Sequence, residues 1–409
     1  MGSKALTEGT PWKGILSFMF PIFMGLLLQQ LYNTVDTLVV GNFAGEGPLA
    51  AVGACGVLTM AFLALANGFS AGASVLIARL FGGGAEKEMR RQASSALLLL
   101  LGMGVVASVA GIFISQFALR YILATPESLI PMADTYFKIY AAGLAFQFGY
   151  NIIAAILRGI GDSRATLYFL LIASAVNVAL DIVFVFNLGM GVAGAAIATN
   201  IAQAASCVAG FIYMTKKYPL FRWKLREFTF EWPLAKRTLK TGFPMALQQF
   251  IVSFGFVFIQ RAVNSYGESM TASFSVAQKI ETYMTLPANA LMTTQATYTG
   301  QNMGAGRMDR VMTGAKHTVI LSEMISVCIL AVVFLFAEPI VTAFGLGAEA
   351  AGFCAAHVRC VAICLIPFAS YFPLLGLFQG ANNALYSTFV ATSALAIRVA
   401  STYILQEIP

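Results

Sequence analysis

Long apolar runs, broken by short polar stretches rich in glycine, proline and charge, recur along the whole chain. About 20 mostly apolar residues make one membrane-crossing helix. The breaks divide the chain into runs near 14–40, 48–77, 93–117, 132–156, 165–187, 190–214, 240–263, 270–299, 317–340, 353–378 and 385–406. The pattern predicts an all-α, polytopic membrane protein with eleven spans in total. The first run is too long for a cleavable signal peptide, lacks a small-residue cleavage site and holds Pro21 and Asp36 inside it.

The chain also matches itself at an offset of about 222 residues. Pro21 corresponds to Pro244, Gly82-Gly83-Gly84 to Gly304-Ala305-Gly306, Arg158-Gly159 to Gln379-Gly380, and Val176-Asn177-Val178-Ala179 to Ile397-Arg398-Val399-Ala400. An even number of spans separates the copies, so both begin on the same side of the membrane. The expected architecture is two six-helix bundles related by a parallel repeat, with the pseudo-two-fold axis along the membrane normal. The sequence places an N-terminal lobe at 1–214, a basic linker at 215–239 and a C-terminal lobe at 240–409. Pro219 and Pro233 oppose a continuous helix through the linker. The second bundle is expected to be incomplete, since the partner of 190–214 is missing, and the C-terminal lobe to be less stable and transport-deficient for it.

Composition agrees with this setting: 58% hydrophobic, 11% charged, mean hydropathy +0.78. Of the 25 Lys and Arg, 19 fall on one side of the predicted topology, among them the eight between Lys216 and Lys240. That bias places the N-terminus in the cytoplasm. It also accounts for the net charge of +7, which faces anionic lipid headgroups rather than nucleic acid. Six cysteines at no metal-ligand spacing and two histidines, His317 and His357, argue against a metal cluster or an enzymatic nucleophile–base pair. The glycine triplet 82–84 is no phosphate cradle, because no Gly-Lys-Ser/Thr follows it. No other ATPase motif is present and no cofactor is expected.

Polar residues inside the spans carry the candidate chemistry. A carboxylate in hydrocarbon costs roughly 2.5–3.5 kcal/mol on insertion scales, which makes it a functional candidate. At about 1.5 Å rise per residue, Asp36 and Asp181 both fall in the outer half of the membrane. Asn177 lies one turn below Asp181 on the same helix face. Thr199 returns to the same depth from outside. These four oxygen-bearing side chains form a candidate site for Na⁺ or a proton. Pro21 is a kink, static or hinging. Lys279, Glu281 and Arg398 are candidates for lining a central cleft or for an ordinary buried charge network.

Three stretches together resemble the multidrug and toxic compound extrusion (MATE) family, in its bacterial branches. They are Pro21 with Asn33-Thr34-Val35-Asp36 and Gly41, then Arg158-Gly159-Ile160-Gly161-Asp162-Ser163, then Gly300-Gln301-Asn302-Met303-Gly304-Ala305-Gly306. The resemblance implies twelve helices in two lobes. It implies a secondary antiporter in the bacterial plasma (inner) membrane that exports organic, mostly cationic xenobiotics, antibiotics among them, in exchange for Na⁺ or H⁺ by alternating access. It maps the cation site onto Asp36, Asn177, Asp181 and Thr199, and the bending proline onto Pro21. The implied partners are small-molecule drugs and the lipid bilayer, with the protein a monomer. The rival reading is a lipid-linked oligosaccharide flippase of the same superfamily, which would need several cations in the cleft; Lys279 and Arg398 are the candidates for these.

Overall fold

The computed structural model describes residues 6–39, 46–123, 125–224, 227–344 and 346–406, and among them there is no strand. The helices are α1 (Pro11–Val39), α2 (Glu46–Gly82), α3 (Glu86–Phe117), α4 (Ile130–Ala142), α5 (Leu144–Gly159), α6 (Ser163–Asp181), α7 (Gly191–Lys217), α8 (Trp232–Asn264), α9 (Glu268–Gly304), α10 (Met308–Thr342), α11 (Ala348–Ala369), α12 (Tyr371–Gly380) and α13 (Ala384–Gln406). The basic linker holds no continuous helix: Pro219 opens a 3₁₀ turn, and Pro233 sits in the first turn of α8. That helix begins at Trp232, eight residues before the boundary read from the sequence.

Nine helices among the described residues are long and apolar enough to cross a membrane, or ten if the bent pair α4–α5 counts as one span. The sequence reading of eleven differs by α9. This helix has 37 residues, ample length, but a mean composition too polar to pass. It packs against α1, α2, α10, α11 and α12, which sheathe it. Threonine hydroxyls are satisfied within the helix: Thr282, Thr294 and Thr297 each donate to the carbonyl four residues back, at 2.8, 2.8 and 3.2 Å. A helix whose polar groups are paired and shielded from lipid needs no apolar surface of its own.

The fourth span is broken. α4 and α5 meet at Gly143 with a 46° bend. The break frees the Ile139 carbonyl, and the Asn200 side chain of α7 donates to it. A Cβ at Gly143 would lie 2.0 Å from Asn200 Oδ1, so the glycine leaves room for the inserting amide.

The repeat is visible in the turns. Gly84 and Gly306 both take left-handed φ, +67° and +70°. Gly161 and Asn382, also repeat partners, take +91° and +62°. The hydrogen bonds repeat too: Gly161 N to Arg158 O at 2.9 Å is echoed by Asn382 N to Gln379 O at 3.0 Å.

The halves touch at the end of the molecule where the basic loops gather. There the contact is reciprocal: a Cβ on Gly82 would lie 1.9 Å from Gln301 O, and one on Gly304 would lie 1.9 Å from Arg79 O. The two lateral seams differ. On α2–α8 the backbones meet directly, Gly68 on Ala246 and Gly72 on Gly242. The repeat equivalents of Gly242 and Ala246 on α1 are Met19 and Phe23, which pack with Ala290 and Leu291 of α9 through side chains.

Candidate functional site

α6 carries Asn177 and Asp181 one turn apart, so both point to the same side, and both are buried (0% and 1% exposed). Asp181 is the last residue of α6 before the chain passes into a π-helical segment, Ile182–Asn187. Such widened turns recur at functional sites because they re-aim the side chains beside them. The Asn177 amide fits its neighbours best with Nδ2 donating to Asp181 Oδ2 at 2.7 Å and Oδ1 accepting from Thr199 N at 3.2 Å. In the opposite orientation Nδ2 reaches Thr199 Oγ1 at 3.4 Å. The Thr199 hydroxyl also donates to Ala195 O at 3.0 Å.

Three of the four sequence-derived site residues therefore converge. Asp36 sits on α1, which packs along α6 and touches the π segment after Asp181; its side chain lies outside the described residues. Pro21 is buried within α1. In the other half, Arg398 approaches Glu281 Oε1 at 4.0 Å and stacks over the Phe256 ring at 5.1 Å. Arg398 thus has a carboxylate and an aromatic face beside it. Lys279 is exposed. Among the described residues no three His, Cys, Asp or Glu side chains gather as metal ligands. The cluster at Asp181 instead offers carboxylate, amide and hydroxyl oxygens, the donors a hard monovalent cation or a proton uses.

Sequence reasoning missed three polar assemblies. Asn200, next to Thr199, anchors α7 to the α4–α5 break and so fixes the height of Thr199. Asp134 in α4 is held by Ser115 at 2.6 Å, Gln116 at 3.1 Å and Lys138 at 2.7 Å, a locally neutralised network. Asp162 caps α6 through Ala165 N at 3.2 Å and accepts from Tyr213 at 2.9 Å, Lys217 at 2.9 Å and Tyr218 at 2.7 Å. Burial pushes the Asp162 carboxyl up, but the bonds from Tyr218, Lys217 and Tyr213 outweigh it and hold its pKa below the ordinary value. A cavity of about 1060 Å³ adjoins this assembly at the basic end, away from Asp181. The Asp162 partners sit at i and i+4 on α7 and were legible only as the end of a span.

A sheathed helix bundle built twice, with a buried carboxylate in the interior of one copy, defines a multi-span membrane transporter rather than an enzyme. The chain belongs to the MatE family of multidrug efflux transporters, which it matches twice, over residues 21–183 and 244–404. Its relatives include the probable multidrug resistance protein YpnP of Bacillus subtilis, 33% identical over 76% of this chain and 69% of that one. Another is the probable multidrug resistance protein NorM of Thermotoga maritima, 26% identical over 81% of this chain and 72% of that one. In three dimensions the chain is similar to a MOP superfamily transporter from Pyrococcus furiosus, with a TM-score of 0.93 and 25% identity over 100% of this chain and 92% of that one.

Proposed function

We propose that this transporter is a secondary antiporter that exports organic, mostly cationic compounds in exchange for Na⁺ or H⁺. The observation that carries the reading is the buried pair Asn177–Asp181 with Thr199 beside it. A carboxylate kept in a span at such a cost, beside an amide and a hydroxyl, is suited to load and release a cation. Rotating the Asn177 amide exchanges a donor for an acceptor toward Asp181, which would let the same three side chains hold either the bare carboxylate or a cation. Asp36, carried along α6 by α1, supplies the second acid.

In this reading residues 1–214 and 240–409 rock against each other about the linker 215–239. Pro21 is the hinge of α1, and Lys279, Glu281 and Arg398 line the cleft of the C-terminal lobe. The excess of Lys and Arg on one side of the topology read from the sequence supports a cytoplasmic N-terminus, in a bacterial inner membrane. The protein works as a monomer. The Glu281 and Phe256 contacts of Arg398 favour antiport over the flippase reading, which calls for cations free to meet anionic headgroups.

Counterflow of ethidium into proteoliposomes, run with a Na⁺ gradient and separately with a pH gradient, tests the reading. Uptake driven by one of the two gradients is expected. Ethidium movement indifferent to both would overturn it.

A further inference from the structure

Each half of the molecule is clasped by the segment that leads into the other half. Residues 6–10, which precede α1, lie on α9 and α10 of the C-terminal half. Leu6 N donates to Gln301 Oε1 at 2.8 Å, and the Leu6 side chain is buried (5% exposed) with Ile15, Phe18 and Tyr298. The Arg310 guanidinium, 9% exposed, gathers three carbonyls of this segment: Leu6 O at 3.1 Å, Glu8 O at 3.2 Å and Gly9 O at 2.9 Å. Its Nε donates to Asn302 Oδ1 at 3.1 Å, and Arg307 reaches Thr7 O at 3.1 Å. Gln301 completes the bridge by donating from Nε2 to Gly159 O of the N-terminal half at 2.8 Å.

Residues 227–231, which precede α8, lie in turn on α3 of the N-terminal half. Thr229 O accepts from Ser94 at 3.2 Å and Ser95 at 3.3 Å, Glu231 N donates to Ser95 Oγ at 3.1 Å, and Arg90 donates to Glu227 at 2.6 Å. Arg91 pairs with Glu231. The arrangement is a two-fold exchange, as in a self-complementary interface. Its chemistry is not equal on the two sides. The charges of the second clasp are exposed ion pairs, which contribute little and are screened by salt, beside neutral hydrogen bonds from Ser94 and Ser95. The first rests on a buried guanidinium whose planar fork matches several carbonyls at once. Charge-assisted hydrogen bonds to a buried group are the stronger kind.

We infer that the two segments are reciprocal clasps that hold the cytoplasmic side closed, and that release of residues 6–10 from Arg310 and Gln301 is the step that frees α1 from the C-terminal half. The inference rests on the alternating-access reading above. α1 runs unbroken from Pro11 to Val39, with the clasp at one end and Asp36 near the other. A change in α1 at the cation site, bending at the intervening Pro21 included, is therefore delivered to the clasp along one continuous helix. The direct glycine contacts on the α2–α8 side leave that seam as the pivot.

The test is a distance measurement between spin labels at Arg164 and Met308, both exposed at the basic end on opposite halves, in a cysteine-free protein in nanodiscs. Leu6→Asp and Arg310→Lys should each raise the ratio of long to short distances by roughly threefold or more, beyond the additivity error of such cycles. Because both act on one clasp, the double variant should move no further than the larger single change, whereas adding Arg91→Gln should move it further. Folding is monitored by melting temperature; if Leu6→Asp unfolds, Arg310→Lys with and without Arg91→Gln still decides. An unchanged distance distribution in Arg310→Lys, or full additivity of Leu6→Asp and Arg310→Lys, overturns the clasp. Ethidium counterflow on the same samples separates the two readings: wild-type protein that shows both distances yet ignores both gradients refutes the antiport and leaves the clasp standing.

Discussion

Asn177 Nδ2 donates to Asp181 Oδ2 at 2.7 Å from one turn below, inside a half that buries both side chains almost completely. A charge acts most strongly on a carboxylate taken out of water, so a cation loaded beside Asp181 would change the local electrostatics strongly. Asp181→Asn should keep the fold, since the amide can still bond to Asn177, while gradient-driven export falls by roughly 5- to 150-fold, the range of an ordinary coupling free energy. Ethidium efflux at matched expression checks this, and export at the wild-type rate would remove Asp181 from the coupling site.

Asp36→Asn should have the same phenotype, a loss of coupled export with melting temperature unchanged. The charge is removed and the shape is kept. Efflux that survives at the wild-type rate would leave α1 without a coupling role.

Asp162 gives a pH signature. Its carboxyl is held below the ordinary value in the folded protein, so the folded state binds fewer protons than the unfolded state at acid pH. The stability it contributes is complete above the unfolded value of about 3.9 and is lost as pH falls through the folded pKa. Melting temperature should stay level between about pH 8 and 5 as far as this group is concerned, and drop only in stronger acid. Asp162→Asn should cost roughly 1.5–3 kcal/mol at neutral pH, the usual value of a hydrogen bond to a charged group, and should flatten the acid drop. A drop equally steep in the variant would assign it to other carboxylates.

Gly304 permits the backbone contact with Arg79 O, where an added Cβ would fall at 1.9 Å. Gly304→Val should force the halves apart at this point and cost about 1–3 kcal/mol, as overpacking does. Gly102→Val on α3, where nothing lies within 4 Å, serves as the open-space comparison. Equal melting temperatures for the two would mean that the contact at Gly304 yields without strain.

Inside α9, Gln295 accepts from Thr318 and donates to Thr299, both at 2.9 Å. Gln295→Leu makes the helix more apolar, yet it should lower stability by roughly 0.5–1.5 kcal/mol, the net value of the lost bond between helices, while Thr318 keeps its bonds to Gly314 O and Ala315 O. A more stable variant in detergent would show that the polarity of α9 serves something other than packing.

Periodic apolar length, the 222-residue repeat and the meeting of Asp181, Asn177 and Thr199 were all legible in the chain. Each depends on local properties: how many apolar residues follow one another, how far each rises along a helix, and which residues share a face. The bend at Gly143 was not legible, because it exists only where Asn200 from a distant helix inserts. The polar α9 was readable as a span but not as a sheathed one, since its neighbours come from both halves. The Arg310 guanidinium looked like one more basic loop residue under the charge bias. Its task is set by three carbonyls about 300 positions away in sequence, and carbonyls have no residue-type signature to read. The sequence by itself determined the long apolar helices, their repetition and which polar residues share a face with Asp181; tertiary structure alone decided which loops lock the halves together, because backbone acceptors acquire an identity only when folding brings a donor to them.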